Sequence, residues 1–402
     1  MWLRLPLRSL VRNRRRTGLS LGIIALGTAL SFVVSGFFGS SSEVIKETTV
    51  AEYGNLQIAT QALWDGESGA ATLIPEERAT RLRALLAREP EVASSSAQLS
   101  FSGLAVVGRT SRVVKGTALV PGNATLDYND LVVEGRGLLP TDRGHALVGR
   151  TLADELSLKV GNAVTLTATT LDGAYNVSPV EVVGIYRFTS SEFELRQVFV
   201  PLEFGQALLD TQGVDKLVVR LSDIEATDGV AASLRRALQK EGLALVPRTW
   251  DDLAGFYRQL KGLFDLLATF ITLVVGVLVF VIILQVLTMS FLERTREVGT
   301  IRALGTRRSE VFRFFLVEGA LLGLLGGGAG LILGGLLGLG FNALGVAWQP
   351  PGAVADVTLT VALTLRQAGS SFLAAILATV LSALYPALRT SRIRVVEALR
   401  VS

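Results

Sequence analysis

Residues 291–330 read FLERTREVGTIRALGTRRSEVFRFFLVEGALLGLLGGGAG, and the two halves of that run suit different solvents. The first half is dense in Arg and Glu. From Gly319 to Ala355 there is no charged side chain at all. An α-helix needs about 20 apolar residues to cross the hydrocarbon core of a bilayer, and this stretch exceeds that. Working outward, three more stretches lack charge: Thr17 to Ser42, Leu266 to Leu292 and Gln367 to Leu388. With 50% hydrophobic and 18% charged residues among 402, the chain is too apolar for a soluble globular protein. Four membrane-spanning helices account for the excess.

The first stretch follows an Arg-rich segment and so resembles a secretory signal. It stays apolar for about 26 residues, however, against roughly 7–15 for a signal core, and is expected to remain as a helix. Cysteine is absent, which excludes disulfides and thiolate metal sites. The formal charge of +4 does not indicate a nucleic-acid partner, because the arginines flank the apolar stretches instead of lining one soluble face. Arg4, Arg8, Arg12, Arg14, Arg15 and Arg16 precede the first span. Arg294, Arg296, Arg302, Arg307, Arg308 and Arg313 lie between the second and third, and Arg389, Arg392, Arg394 and Arg400 follow the fourth. Cationic flanks are retained in the cytoplasm, so both termini and the 293–313 connection are expected there. Residues 43–265 are then expected outside.

That inserted segment reads as mixed α/β. Pro75, Glu76 and Glu77 open a helical pattern with Ala79, Leu82 and Leu86 on one face. A second helix is expected from Asp228, with Val230, Ala231, Leu234, Ala237 and Leu238 inward and Gly242 as its stop. Strand-like runs occupy 164–168, 180–185, 197–200 and 217–221, and two α/β subdomains are expected. His145 is the only histidine, so a multi-His metal site is excluded; Asp142-Arg143-Gly144-His145 reads as a polar surface turn. Glu192 and Glu194 flank Phe193 and read as a solvated face. No catalytic site and no metal site emerge.

A phosphate-binding loop needs Lys directly after its last Gly, and Gly-Lys does not occur. The run Gly326-Gly327-Gly328-Ala329-Gly330 instead lies inside an apolar span. Gly326, Gly330, Gly334 and Gly338 recur every four residues, beside a second row of Gly319, Gly323 and Gly327. Residues four apart share a helix face, and missing side chains let another backbone approach closely; a tight contact able to slide is expected. Glu318 is the main ionisable group of the spans and is expected near the cytoplasmic interface, paired with Arg313 or the N-terminal helix. Between the spans, Glu293, Arg294, Arg296 and Glu297 sit at helical pairing distances, and Gly305 is placed to end a short helix. Such a helix is a rigid handle for a soluble partner. A solvated basic loop is the other reading of the same residues.

The 291–330 run resembles the hallmark segment of FtsX-like, or MacB-type, ABC transporter permeases. Tyr385-Pro386-Ala387-Leu388-Arg389 with Val396 to Arg400 is similar to that family's closing motif. Leu7-Arg8-Ser9-Leu10 with Arg14 to Arg16 resembles its amphipathic first helix. In the insert, residues 53–58, 148–153, 160–162 and 182–185 look most like the lipoprotein-release (LolC- and LolE-type) branch.

The resemblance implies a four-helix membrane protein with an inserted extracytoplasmic α+β domain in porter- and sabre-like subdomains. The implied layout is an amphipathic helix at 1–16, spans at 17–42, 263–292, 311–341 and 367–388, and the insert at 43–262. A cytoplasmic coupling helix follows at 293–310, with an outer loop at 342–366 and a cytoplasmic tail at 389–402. Glu293, Arg294, Arg296, Glu297, Gly299, Arg302, Ala303, Leu304 and Gly305 then fall on the ATPase-coupling helix. Unlike MacB-type exporters, no fused ATPase domain is recognised, so a separate cytoplasmic ATPase dimer is the expected partner, holding ATP and Mg; no cofactor is expected on this chain. A second permease, identical or related, would complete a dimer in the bacterial inner membrane. Lipoprotein release is the leading expectation. Acyl chains would enter a cleft lined by Phe32, Phe37 and Phe38 of the first span and Phe264, Phe270 and Phe280 of the second. MacB-type export of a peptide, lipid or antibiotic with a periplasmic adaptor, and mechanical signalling to a cell-wall hydrolase, are the alternatives.

Overall fold

The computed structural model describes residues 14–122, 131–187, 195–293, 299–300, 302–303, 305–348 and 357–392. The chain divides into two compact units. One comprises Met1–Val44, Gln259–Ala347 and Thr358–Ser402; the other comprises Ile45–Arg258 with Trp348–Val357. In lipid every backbone polar group must be satisfied within the element, and the first unit is accordingly helical. Its helices are α1 (Arg14–Tyr53), α6 (Gly255–Glu293), α7 (Arg308–Ala343) and α8 (Leu365–Arg392), each long and apolar enough to cross a membrane. Ile24 of α1, Ile283 and Leu287 of α6, Val311 and Phe315 of α7, and Ala383 and Ala387 of α8 form one buried cluster. The N-terminal ends of α1 and α7 therefore lie with the C-terminal ends of α6 and α8, as an up-and-down bundle requires.

The second unit is built on one ten-stranded sheet. Its strands are β1 (Leu56–Ala59), β2 (Val92–Val107), β3 (Thr110–Leu119), β4 (Val132–Gly135), β5 (His145–Gly149), β6 (Ala163–Thr169), β7 (Tyr175–Tyr186), β8 (Gln197–Pro201), β9 (Lys216–Leu221) and β10 (Val246–Thr249). The order is β10-β1-β9-β2-β3-β8-β5-β7-β4, with β6 bridging β2 and β7. Hydrogen bonding therefore closes on itself through β2, β3, β8, β5, β7 and β6, with β4 attached to β7 outside the closed path.

Two large cores lie along this one sheet, beside a smaller cluster of Leu119, Leu138, Leu147, Val183, Tyr186 and Phe199. Leu56, Ile58, Ala97, Leu217 and Val219 pack under α2 (Glu76–Leu86), through Ala79, Leu82 and Leu86, and α5 (Thr227–Lys240), through Val230, Ala231, Leu234 and Leu238. Leu99, Phe101, Leu166, Val182 and Val198 pack with Leu152 and Leu156 of α3 (Arg150–Leu156) and with Phe204 and Leu208 of α4 (Leu202–Leu209). The expected pair of subdomains corresponds to these two cores. They share a strand, because the first half of β2 pairs with β9, from Val92↔Leu221 to Gln98↔Lys216, and the second half with β6, from Gly103↔Ala168 to Val106↔Thr165. Both expected helices form, with Gly242 at φ +65° beyond the second; Ala237 is only half-buried. His145 opens β5 instead of sitting in the turn. Glu192, Phe193 and Glu194 lie outside the described residues.

Candidate functional site

The third span, α7, organises the membrane unit because its two glycine rows face two different helices. A Cβ added to Gly326 would meet Ile24 Cβ at 2.7 Å, one at Gly330 would meet Ala25 O and Thr28 Cβ at 2.6 Å, and one at Gly334 would meet Phe32 Cδ1 at 3.0 Å. That row lies against α1. Gly319, Gly323 and Gly327 instead face Ala383, Thr379 and Phe372 of α8. Gly338 meets Leu363 at 2.8 Å, in the segment that leads into α8. No Leu or Val at these places would let α7 sit between its neighbours at such short range.

Glu318 is 5% exposed on the same helix, between buried Phe315 and Leu322. Arg313 is exposed. Five residues apart, the two point to different sides of the helix. The alternative partner, the N-terminal helix, falls in residues 1–13, outside the described residues.

Spans α1, α6 and α8 enclose a groove of about 690 Å³. Its wall is apolar, with Gly276, Phe280, Leu377 and Leu381 along it. Where the three helices meet, Ser31 Oγ lies 3.2 Å from Thr272 Oγ1 and 3.4 Å from Ser371 Oγ. Lower on α8, the Ser382 hydroxyl reaches the Phe280 carbonyl of α6 at 2.9 Å. Hydroxyls that bridge helices in this way tie apolar spans together. Isolated Ser and Thr in apolar runs gave no sequence signal, because their convergence is created only by packing.

The six phenylalanines of the expected cleft do not act as one set. Phe280 lines the groove. Phe38 packs on Phe264 with centroids 5.3 Å apart and on Phe37 at 5.7 Å. Phe270 is 61% exposed. Phe32 is 5% exposed and belongs to the α1–α7 contact, since bare Gly334 opens a slot for its ring; its assignment to the cleft is corrected accordingly.

Between α6 and α7, Gly299 is buried, Thr300 and Ala303 are exposed and Arg302 is half-buried, with helical backbone at 299–300 and 302–303. Gly305 has φ +103°, and its N–H donates to Arg302 O at 3.1 Å. Only a residue without Cβ adopts that conformation readily, so the turn before α7 is built at Gly305. The Arg307 N–H then donates to Glu310 at 3.0 Å, opening α7. Glu293 ends α6. Arg294, Arg296, Glu297 and Leu304 lie outside the described residues.

In the inserted unit, Asp142 accepts hydrogen bonds from the Arg136 guanidinium at 2.7 and 3.0 Å and from the Leu139 N–H at 2.9 Å. His145 Nδ1 lies 3.3 Å from Asp142 Oδ1. These contacts cinch the turn ahead of β5.

A family model described as MacB-like periplasmic core domain matches residues 17–237, and one described as FtsX-like permease C-terminal matches residues 269–395. The chain is 25% identical over 421 residues to the macrolide export ATP-binding/permease protein MacB of Bordetella avium, covering 99% of this chain and 59% of that one. It is 25% identical over 408 residues to the lipoprotein-releasing system transmembrane protein LolC of Xylella fastidiosa, covering 95% and 92%. An uncharacterised ABC transporter permease of Methanocaldococcus jannaschii is 27% identical over 224 residues, covering 53% of each. The chain thus spans little more than half the length of two of these three relatives. Among solved structures, the extracellular domain of YknZ from Gram-positive bacteria aligns at 14% identity and TM-score 0.36, covering 49% of this chain and 100% of that one. The glycine-packed third span, the inserted two-core domain and both matched segments occur in one polypeptide, and the chain belongs to the ABC transporter permeases of the FtsX-like, MacB-type family.

Proposed function

We propose that this chain passes ATP-driven movement of a separate cytoplasmic ABC ATPase dimer to its inserted domain, and that the movement displaces an acyl-chain-bearing cargo of lipoprotein type. The groove between α1, α6 and α8 carries this reading. It is apolar, its volume of about 690 Å³ suits one small ligand or acyl chain, and its hydroxyls sit where an ester or amide of such a cargo needs hydrogen-bond donors. The similarity to a protein named for lipoprotein release runs along 92% of that protein's length.

In this reading, residues 293–305 are the handle. A partner drawing two such handles together moves α6 and α7, which flank the connection in sequence. The glycine rows hold α7 against α1 and α8 without long side chains to unlock, so the displacement passes to both neighbours. The ATPase would bind ATP and Mg, and this chain would supply position and leverage.

The test is reconstitution with the ATPase in lipid vesicles, measuring turnover with and without a triacylated lipopeptide. Arg302→Glu is expected to lower ATPase binding and turnover at least tenfold. Leu377→Trp, which fills the groove, is expected to abolish lipopeptide stimulation, whereas Leu336→Trp on the exposed face of α7 keeps it. Unchanged binding in the first variant sinks the handle. Equal stimulation in the other two sinks the cargo assignment.

A further inference from the structure

Span α1 carries no charge between Arg16 and Glu43, and Ser31 lies about 22 Å of helix rise from the first and about 18 Å from the second. It therefore sits in hydrocarbon, where a hydroxyl left without a partner is costly. Ser31 is 5% exposed and Ser371 of α8 is 2% exposed. With Thr272 of α6 they form the joint of three spans.

This joint does not close by itself. Its two contacts, Ser31 to Thr272 at 3.2 Å and Ser31 to Ser371 at 3.4 Å, exceed the roughly 2.5–3.0 Å usual when one hydroxyl donates to another. Three hydroxyls bring three protons. Two contacts use at most two of them, so one proton has no acceptor inside the triad. Neighbouring hydroxyls are settled differently: Thr28 donates to Ile24 O at 2.8 Å and Ser382 to Ala378 O at 2.7 Å, each four residues back on its own helix.

A second, smaller cavity of about 20 Å³ adjoins the joint, lined by Thr28, Ser31, Thr272 and Ser371 together with Ile24 and Val279. No described residue of its lining is charged. A space needs about 10–15 Å³ and two to four polar partners to hold one water molecule, and both conditions are met. A Cβ added to Gly27 would lie 2.6 Å from Val279 Cγ2. Spans α1 and α6 are therefore already in contact there, and drawing them together does not remove the space.

We propose that this cavity binds one water molecule, hydrogen-bonded to Ser31, Thr272 and Ser371, as the polar centre of the α1–α6–α8 joint. The water accepts the proton left over by the triad and donates to two of its oxygens. A lining of neutral hydroxyls suits a neutral ligand and not a cation. Water-mediated hydrogen bonds are nearly as favourable as direct ones, and a bridging water follows its partners, so the joint stays satisfied through a displacement of α6. Neither the ATPase nor the cargo enters this proposal, and its test needs neither.

The test uses the full chain in lipid vesicles, with ¹³C-labelled threonine and magnetisation passed from water protons at short mixing time in solid-state NMR. Thr272 is expected to show a water cross-peak. Thr379, fully buried and donating to Ile376 O at 2.9 Å, is expected to show none. Ser31→Ala removes the residue shared by both contacts and should lose the Thr272 peak. Ser382→Ala, which removes a different hydroxyl bridge between α8 and α6, should keep it. A Thr272 peak no stronger than that of Thr379, or one that survives Ser31→Ala undiminished, overturns the proposal. The first comparison is made within the parent protein and holds whether or not a variant folds.

Discussion

Asp142 shows how a single buried carboxylate governs a turn. Its side chain is 6% exposed while Arg136 is 44% exposed, so the pair is anchored at the acid and screened at the base. The Arg136 hydrogen bonds, followed by that from the Leu139 backbone, hold the Asp142 carboxyl below the usual carboxylate range despite its burial. A lowered folded value means that the contribution to stability is present at pH above the ordinary value of about 3.9. It is lost as pH falls through the lower folded value. Asp142→Asn is therefore expected to destabilise the inserted domain by about 1–2 kcal/mol at neutral pH and to remove this part of its acid sensitivity. Thermal unfolding followed from pH 3 to pH 7 checks both; parallel profiles for the variant and the parent would contradict the assignment. The sequence put His145 in the same turn as Asp142 but gave no sign of the Arg136 contact, since a pairing across six positions of loop has no periodicity to read.

At the level of elements, legibility followed periodicity. Helix α2 announces itself by Ala79, Leu82 and Leu86 after two acids, and the α7 glycine rows by their spacing of four. By contrast, β2 is the longest strand, with 16 residues, and it was missed. Its first half carries Ser94, Ser95 and Ser96 and pairs with β9, more than a hundred positions away, so composition does not reveal it; the local signal is the tight turn at Gly108 and Arg109 that folds its second half onto β3. What the spacing of the glycines could not say is which neighbour each row meets. The structure makes this a sharp prediction within one helix. Gly330→Ala places a methyl 2.6 Å from a backbone oxygen of α1, whereas Gly335 has nothing within 4 Å of its Cβ position. The first substitution is expected to cost about 1–3 kcal/mol through overpacking. The second is expected to be neutral or to gain up to about 1 kcal/mol from helix propensity. Denaturation midpoints in mixed detergent measure the difference, and equal midpoints would mean that the α1–α7 contact is not formed as described.

On the scale of the whole molecule, the number of spans and the site of the insertion were readable because lipid imposes a length and a charge rule on every segment, whereas the contents of the groove were not. A groove is a property of three helices at once. Phe32, Phe37 and Phe38 are neighbours in sequence, yet Phe32 is drawn away to Gly334. Orientation follows from the same charge rule and can be argued from the bundle. The cluster that joins Ile24, Ile283, Val311 and Ala387 lies at the end where Arg14 and Arg15 open α1, Arg307 and Arg308 open α7, and Arg389 lies in the last turn of α8. By the retention of cationic flanks that end is expected to face the cytoplasm, and the inserted segment the opposite compartment. Cysteine is absent from the chain, so one thiol reports one site. With a membrane-impermeant maleimide, Asp172→Cys, in the exposed β6–β7 turn, should label in intact spheroplasts, while Ser309→Cys in the first turn of α7 should label only after permeabilisation. The reverse pattern would set the 293–305 connection opposite the nucleotide pool, and no cytoplasmic ATPase could then grip it.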